Sequence, residues 1–232
     1  MRTVSEAPVR AAELDRLQEE WQGCQKCALA RTRTQVVVGS GHPDADLMFV
    51  GEAPGYHEDR QGAPFVGQAG KVLESLLGSI GLSRPDVYIA NVLKCRPPGN
   101  RDPQPDEIAA CEGHLFAQVE LIRPKVICTL GNFATKTLTG RPEGITKVCG
   151  RPQRRELAGL DVTIYPLFHP AAAMRTPSVL ERLRADFSRI PQLLEDEPEP
   201  EPPEPELPAP PEPDAGPEPA VVAEPPQLGL FG

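Results

Sequence analysis

Residues 51–70 read GEAPGYHEDRQGAPFVGQAG. The apolar run LMFV (47–50) leads into this stretch and KVLESLL (71–77) follows it. That order predicts a strand, a ligand-binding loop and a helix. Open α/β sheets place their ligands at the carboxyl ends of the strands. Gly51 and Gly55 flank Pro54, which lets the backbone turn sharply and approach a bound molecule. The loop carries Glu52, Ala53, Glu58 and Asp59, then one aromatic, Phe65, between Pro64 and Val66. Acids beside an aromatic plate suit a flat ligand with polar edges, such as a nucleobase. A surface loop with solvated acids has the same composition, so the remaining chain must decide between them.

Downstream, VYIANVL (87–93) reads as a strand and runs into KCRPPGNRDP (94–103). A loop so rich in Pro and Gly is neither helix nor sheet. It offers Lys94, Arg96 and Arg101 for phosphate contacts. Asp106 is predicted to cap a helix through about residue 122. KVICTL (125–130) is the next strand, and a helix runs from Gly131-Asn132 to about residue 138. Residues 141–159 are polar and basic, with Arg151, Arg154 and Arg155. VTIYPLF (162–168) is the last strand and ends at His169-Pro170; residues 177–194 read as a single closing amphipathic helix.

Upstream, residues 9–22 have helical spacing, with Val9, Leu14, Leu17 and Trp21 near one face and Gly23 as the stop. QVVVG (35–39) reads as a short strand, residues 46–50 as the strand that delivers the opening loop, and residues 69–80 as the helix after it. Strands alternating with helices predict a parallel sheet covered on both faces.

The whole-chain charge of −9 hides an asymmetry. Of the 33 acidic residues, 11 lie in 195–232 with no Lys or Arg, leaving 22 against 24 basic residues in the body. The body is mildly basic and compatible with DNA; the acid sits in a tail. Residues 195–226 are Pro/Glu low complexity, lack the apolar content to fold, and are expected to be a disordered linker after a domain spanning 1–194. No apolar run reaches the roughly 18–20 residues of a membrane span. Nor does the N-terminal stretch have the apolar core of a signal peptide. A cytoplasmic location is expected, where thiols stay reduced and six cysteines argue for metal ligation over disulfides.

Cys24 and Cys27 form a CxxC pair; Cys95 lies in the Pro-rich loop and Cys111 follows 16 positions later. All four fall beside predicted element ends, where separate segments converge. Four thiolates suit zinc or an iron–sulfur cluster. A zinc ribbon usually pairs two tight knuckles, and only one is present here. Cys128 lies inside an apolar strand and reads as a core residue, and Cys149 as a bystander.

At this point an ordered set of blocks resembles a known family. GEAPG with Glu58-Asp59, PFVG (64–67), NVLKCRPPGNR (91–101), PKVI (124–127) with Leu130-Gly131, and HPA (169–171) resemble the iron–sulfur, type 4 uracil-DNA glycosylases in order and separation across residues 20–194. The resemblance implies a three-layer α/β/α sandwich with a central, mostly parallel four-stranded sheet. It also implies a [4Fe-4S] cluster on Cys24, Cys27, Cys95 and Cys111, structural in role. The implied activity is a monofunctional DNA repair glycosylase that flips uracil from single- or double-stranded DNA and hydrolyses its N-glycosidic bond. No lysine occupies the pocket motifs, which argues against a lyase step.

By motif position, Gly51, Glu52, Ala53, Pro54, Gly55, Glu58, Phe65, Asn91 and His169 would bind the base. Phe65 would stack on it and Asn91 would read its edge. His169 would hydrogen-bond the carbonyl oxygen as charge develops there, and Glu58 would crowd C5 against thymine. Glu52-Ala53 replaces the Gln-Asp of classical uracil glycosylases. The water-activating Asp is therefore missing, and Glu52 or a backbone-held water is the candidate. Met174 would fill the hole left by the flipped base. Arg175, with Arg96 and Arg101, would contact DNA, and the helix starts near Gly67 and Gly131 are candidate phosphate sites.

The tail ends in Gln227, Leu228, Gly229, Leu230 and Phe231, which resembles the peptide by which bacterial proteins bind the sliding clamp. A monomer tethered to the replication machinery of the nucleoid is the expectation. A covalently trapping uracil binder and a non-catalytic cluster protein are the competing readings. The first carries a His-bearing insertion that KCRPPGNRDP lacks, and the second leaves Phe65, Asn91 and His169 without a role.

Overall fold

The computed structural model describes residues 7–196. The linker beyond Asp196 and the terminal peptide 227–232 lie outside the described residues. The strands are β1 (Ser40–Gly41), β2 (Leu47–Gly51), β3 (Tyr88–Asn91), β4 (Val126–Leu130), β5 (Gln153–Leu157) and β6 (Leu160–Leu167). The helices are α1 (Ala7–Gln22), α2 (Tyr56–Gln61), α3 (Gln68–Ser79), α4 (Pro105–Ile122), α5 (Asn132–Thr139), α6 (Ile145–Val148), α7 (Pro170–Ala173), α8 (Pro177–Phe187) and α9 (Ile190–Glu195).

The sheet order is β1-β3-β2-β4-β6-β5. Its centre, β3-β2-β4-β6, is parallel throughout, as expected, and β1 and β5 each extend an edge antiparallel. Strand side chains alternate between two apolar layers. Leu47, Phe49, Cys128 and Tyr165 pack with Leu73 and Leu77 of α3 and Phe187 of α8. Met48, Val50, Ile127 and Ile164 pack with Leu115 and Val119 of α4 and Leu138 of α5. Burial on both faces explains why the central strands read as unbroken apolar runs.

Three local expectations are corrected, and a segment without an assigned element, 141–159, is resolved. Residues 35–39 are extended but form no strand. Val37 donates to the carbonyl of Lys94 (2.7 Å), past the end of β3, and pairing begins only at Ser40. Within 141–159, residues Ile145–Val148 are a helix and Gln153–Leu157 are β5, which turns into β6 through Ala158-Gly159. Both turn residues have positive φ (50° and 71°), matching the twist of a tight hairpin. The cap of α4 is Gln104, not Asp106. Glu107 accepts the Gln104 backbone N–H at 2.9 Å. The closing helix is two, because Pro191 lacks an N–H and its ring clashes with the carbonyl four residues back.

The register sets the site. Gly51 pairs with Asn91, and Leu130 with Leu167. The residues that follow, Glu52, Val92, Gly131 and His169, therefore emerge along one carboxyl edge.

Candidate active site

A cavity of about 460 Å³ opens at that edge. It gathers Glu52, Ala53, Pro54, Gly55, Glu58, Phe65, Asn91, Arg101, His169 and Arg175, all expected from the sequence. Ala69, Pro97, Asn100 and Ala171 also line it and were not singled out. Gly51 lies behind Phe65 and Asn91 and lets both approach the strand. Arg96 stands outside the cavity, over Tyr56, and Met174 is exposed beside Arg175.

Phe65 is held in a left-handed conformation (φ 53°) by distant groups. Arg84 donates through one guanidinium nitrogen to the Phe65 carbonyl (2.9 Å) and through the other to that of Pro64 (2.5 Å). Glu58 Oε1 accepts the backbone N–H groups of Val66 (3.0 Å) and Gly67 (2.8 Å). The α3 start at Gly67 is thus already filled by a carboxylate, and the Gly131 N–H donates to the Leu167 carbonyl (2.9 Å). Neither amide is free for phosphate. Nothing in the local sequence links Arg84 to Phe65, 19 positions away, so sequence reasoning missed it.

The Phe65 ring lies 5.7 Å from the His169 ring at 28°. His169 Nδ1 accepts the Ala171 backbone N–H at 3.1 Å, which fixes the proton on Nε2. Burial holds the imidazole down to about 4, against the opposing pull of the Glu58 carboxylate, so the ring is neutral near pH 7. A neutral ring whose proton is fixed on Nε2 is a hydrogen-bond donor at that nitrogen.

Asn91 is 2% exposed, and its Oδ1 has no partner among the described residues. Such an orphan costs about 1–3 kcal/mol unless a ligand fills it. Burial, and then the Asp102 carboxylate, push Glu52 up to about 7. It is therefore poised to exchange a proton near neutrality. Beneath Asn91, the buried Lys94 ammonium donates to the Asn91 carbonyl (2.8 Å) and to Gln118 Oε1 (2.5 Å), bracing the end of β3.

The four cysteines named above line one enclosed cavity with Trp21, Arg33 and His114. Two N–H groups donate to sulfur, and a ring nitrogen lies near a third thiol. Lys94 donates its backbone N–H to Cys111 (3.2 Å), Arg33 its guanidinium to Cys95 (3.7 Å), and His114 Nε2 lies 3.5 Å from Cys24. His114 packs on Trp21 (4.3 Å) and faces this cavity. Burial pushes the Cys95 thiol up to about 12 and raises Cys111. Among the described residues, no three His, Cys, Asp or Glu side chains could together hold one metal ion. Cys128 is core, as expected, and Cys149 is buried 3.4 Å from Asp186.

The parallel sheet with a pocket at its carboxyl edge agrees with comparisons to known proteins. Residues 38–193 match the family model described as Uracil DNA glycosylase superfamily. A type-4 uracil-DNA glycosylase of Sulfurisphaera tokodaii is 45% identical over 185 residues, 78% of this chain and 84% of that protein. One of Thermotoga maritima is 48% identical over 161 residues, 69% and 82% of the two chains. A type-5 uracil-DNA glycosylase of Thermus thermophilus is 35% identical over 117 residues, covering 44% and 53%. The chain belongs to the uracil-DNA glycosylase superfamily and, within it, to the type-4 family.

Proposed function

We propose that this chain excises uracil from DNA by hydrolysing the N-glycosidic bond, releasing the free base and leaving an abasic site, without a lyase step. One observation carries the reading. An unpaired, buried Asn91 oxygen and a neutral His169 lie at the same sheet edge in the pocket that Phe65 lines. A flipped base stacks on Phe65, and the Asn91 amide pairs with its edge. As the bond breaks, negative charge grows on the departing uracil, and His169 Nε2–H donates to the carbonyl oxygen that carries it. Glu52, in its ionised form, orients and deprotonates the attacking water. Glu58 holds the Phe65 loop and crowds the C5 position. Arg101 and Arg175 contact the strand at the pocket mouth, and Met174 fills the vacated stack.

Free-base release from a uracil-containing oligonucleotide is the test. Wild type should turn over many times. Asn91→Ala should lose about tenfold to a hundredfold, and His169→Ala on the order of 10²-fold. Because Glu52 acts as its carboxylate and titrates near 7, the rate should climb as pH rises through about 7, and Glu52→Gln should lose that limb. No uracil release by the wild-type protein would sink the reading.

Cys24, Cys27, Cys95 and Cys111 are proposed to hold a [4Fe-4S] cluster. The donor set fits it: four thiols share one cavity, and backbone and guanidinium N–H groups are aimed at Cys111 and Cys95 sulfur. Each thiolate of a cluster takes its own iron, so the four stand farther apart than ligands of one ion. The cluster would tie the loop before Asn100 to α1 and α4. Iron and acid-labile sulfide should each be found at about four per chain, and Cys95→Ser should lose both together with thermal stability. A single bound zinc would overturn this.

Residues 227–232 are proposed to anchor the enzyme to the sliding clamp as a short peptide. The acidic linker would raise its local concentration at replicating DNA. Clamp affinity unchanged after deletion of 227–232 would end this part of the proposal. The enzyme is proposed to act as a monomer in the cytoplasm, at the nucleoid.

A further inference from the structure

Three large hydrophobic side chains are exposed among the described residues: Val9, Tyr56 and Met174. Two of them flank the pocket. Tyr56 opens α2 directly after the pocket-lining Gly55, and half of its surface faces solvent (50%). Its ring belongs to none of the apolar core clusters.

Two guanidinium groups lie over this ring, Arg96 at 5.2 Å and Arg60 at 5.9 Å from its centroid, and the His57 ring packs edge-on at 5.4 Å. Arg96 reaches it from the Pro/Gly loop, with Nε donating to Asn100 Oδ1 at 2.6 Å, and Asn100 lines the pocket. Among the described residues neither arginine forms an ion pair. Arg101 differs, because both of its terminal nitrogens are engaged by Glu107. Two cations outside any ion pair beside a half-exposed aromatic ring form the combination that binds single-stranded nucleic acid: a plate for a base and charges for the backbone.

We propose that Tyr56, with Arg60 and Arg96, is a subsite for an unpaired nucleotide adjacent to the target uracil in the same strand. This rests on the uracil-excision reading, which places the target base a residue away, against Gly55. The flanking base stacks on the Tyr56 ring in place of one guanidinium, and that guanidinium moves onto the adjoining phosphate. A duplex cannot use the subsite in this way, because its flanking base stays paired and stacked in the helix. The subsite therefore favours single-stranded DNA.

The test uses the full-length protein and a single-stranded oligonucleotide carrying 2′-fluoro-2′-deoxyuridine, which resists hydrolysis. A 2-aminopurine is placed on its 5′ side in one version and its 3′ side in another. Saturating wild type should change the 2-aminopurine emission at one of the two positions. Tyr56→Ala should abolish that change and lower the ratio of single-strand to duplex affinity about fivefold to a hundredfold. Tyr56→Phe should keep both. One of the two variants Arg60→Gln and Arg96→Gln, the one that removes the phosphate contact, should flatten the slope of log affinity against log salt on the single strand by about 0.7. No emission change at either position, or an unchanged affinity ratio in Tyr56→Ala, would overturn the subsite. A wild type that binds the uracil oligonucleotide no better than a matched thymine one would overturn the excision reading and the subsite with it.

Discussion

Gly51→Ala is expected to reduce uracil release by about three orders of magnitude or more while leaving a folded protein. A Cβ built at Gly51 overlaps Asn91 Oδ1 and lies 2.6 Å from Phe65 Cζ and 2.7 Å from Cε2. Neither neighbour can retreat cheaply. Asn91 sits opposite Gly51 in the ladder, and its carbonyl is held by Lys94. The Phe65 backbone is clamped by Arg84, and Glu58 fixes the two residues after it. The added methyl must therefore displace the Phe65 ring, the Asn91 amide or both. A misplacement of about 1 Å costs on the order of 10²-fold, and here two groups proposed to contact the base move inside a pocket that also becomes smaller. The overpacking itself should cost about 1–3 kcal/mol. Single-turnover base release and a thermal melt on the same sample check both halves. A near-wild-type rate would mean that Phe65 and Asn91 do not form the base site.

Gly70→Ala should be the more damaging change to stability. Its Cβ would overlap the carbonyl carbon and oxygen of Phe65 and lie 3.2 Å from the Phe65 Cα. These are backbone atoms, so no rotamer change relieves the clash. Gly70 is buried in the first turn of α3, and Phe65 already occupies an unfavourable left-handed conformation. Inserting a methyl there must separate the helix from the loop, which strains the Arg84 and Glu58 contacts that hold the loop. The loss should reach at least about 3 kcal/mol, the upper end of what core overpacking costs. Urea unfolding measures it directly. The Phe65 loop should also become the first segment to exchange its amide hydrogens. A melt within error of wild type would show that α3 and the loop move together without cost.

Much of this site was legible because it lies in contiguous stretches at strand ends. Glu52 follows β2, Asn91 ends β3 and His169 follows β6, so once the strands were recognised a parallel register had to bring these residues to one edge. The residues that escaped reading act at a distance. Arg84 holds the carbonyls of Pro64 and Phe65, and Gln118 receives the Lys94 ammonium from α4; Lys94 itself, expected to contact phosphate, is instead buried and holds the carbonyl of Asn91. Side-chain donors to backbone carbonyls leave no periodicity and no motif. The edge strands escaped for a different reason. β1 has two residues, and β5 carries Gln153, Arg154 and Arg155 on partly exposed positions, so neither shows the apolar run of a buried strand.

The sequence by itself determined the alternating strands and helices, the parallel centre of the sheet and the residue types at its carboxyl edge. Apolar runs and turn residues act over a few positions, and that range suffices for these features. Only the tertiary structure decided how the base pocket is shaped: the left-handed Phe65, the orphaned Asn91 oxygen, the neutral His169 with its proton on Nε2, and the exposed Tyr56 under two guanidinium groups. It also decided that cysteines 24 through 111 share one cavity. These features depend on burial and on contacts between segments far apart in the chain, and neither is encoded in local spacing.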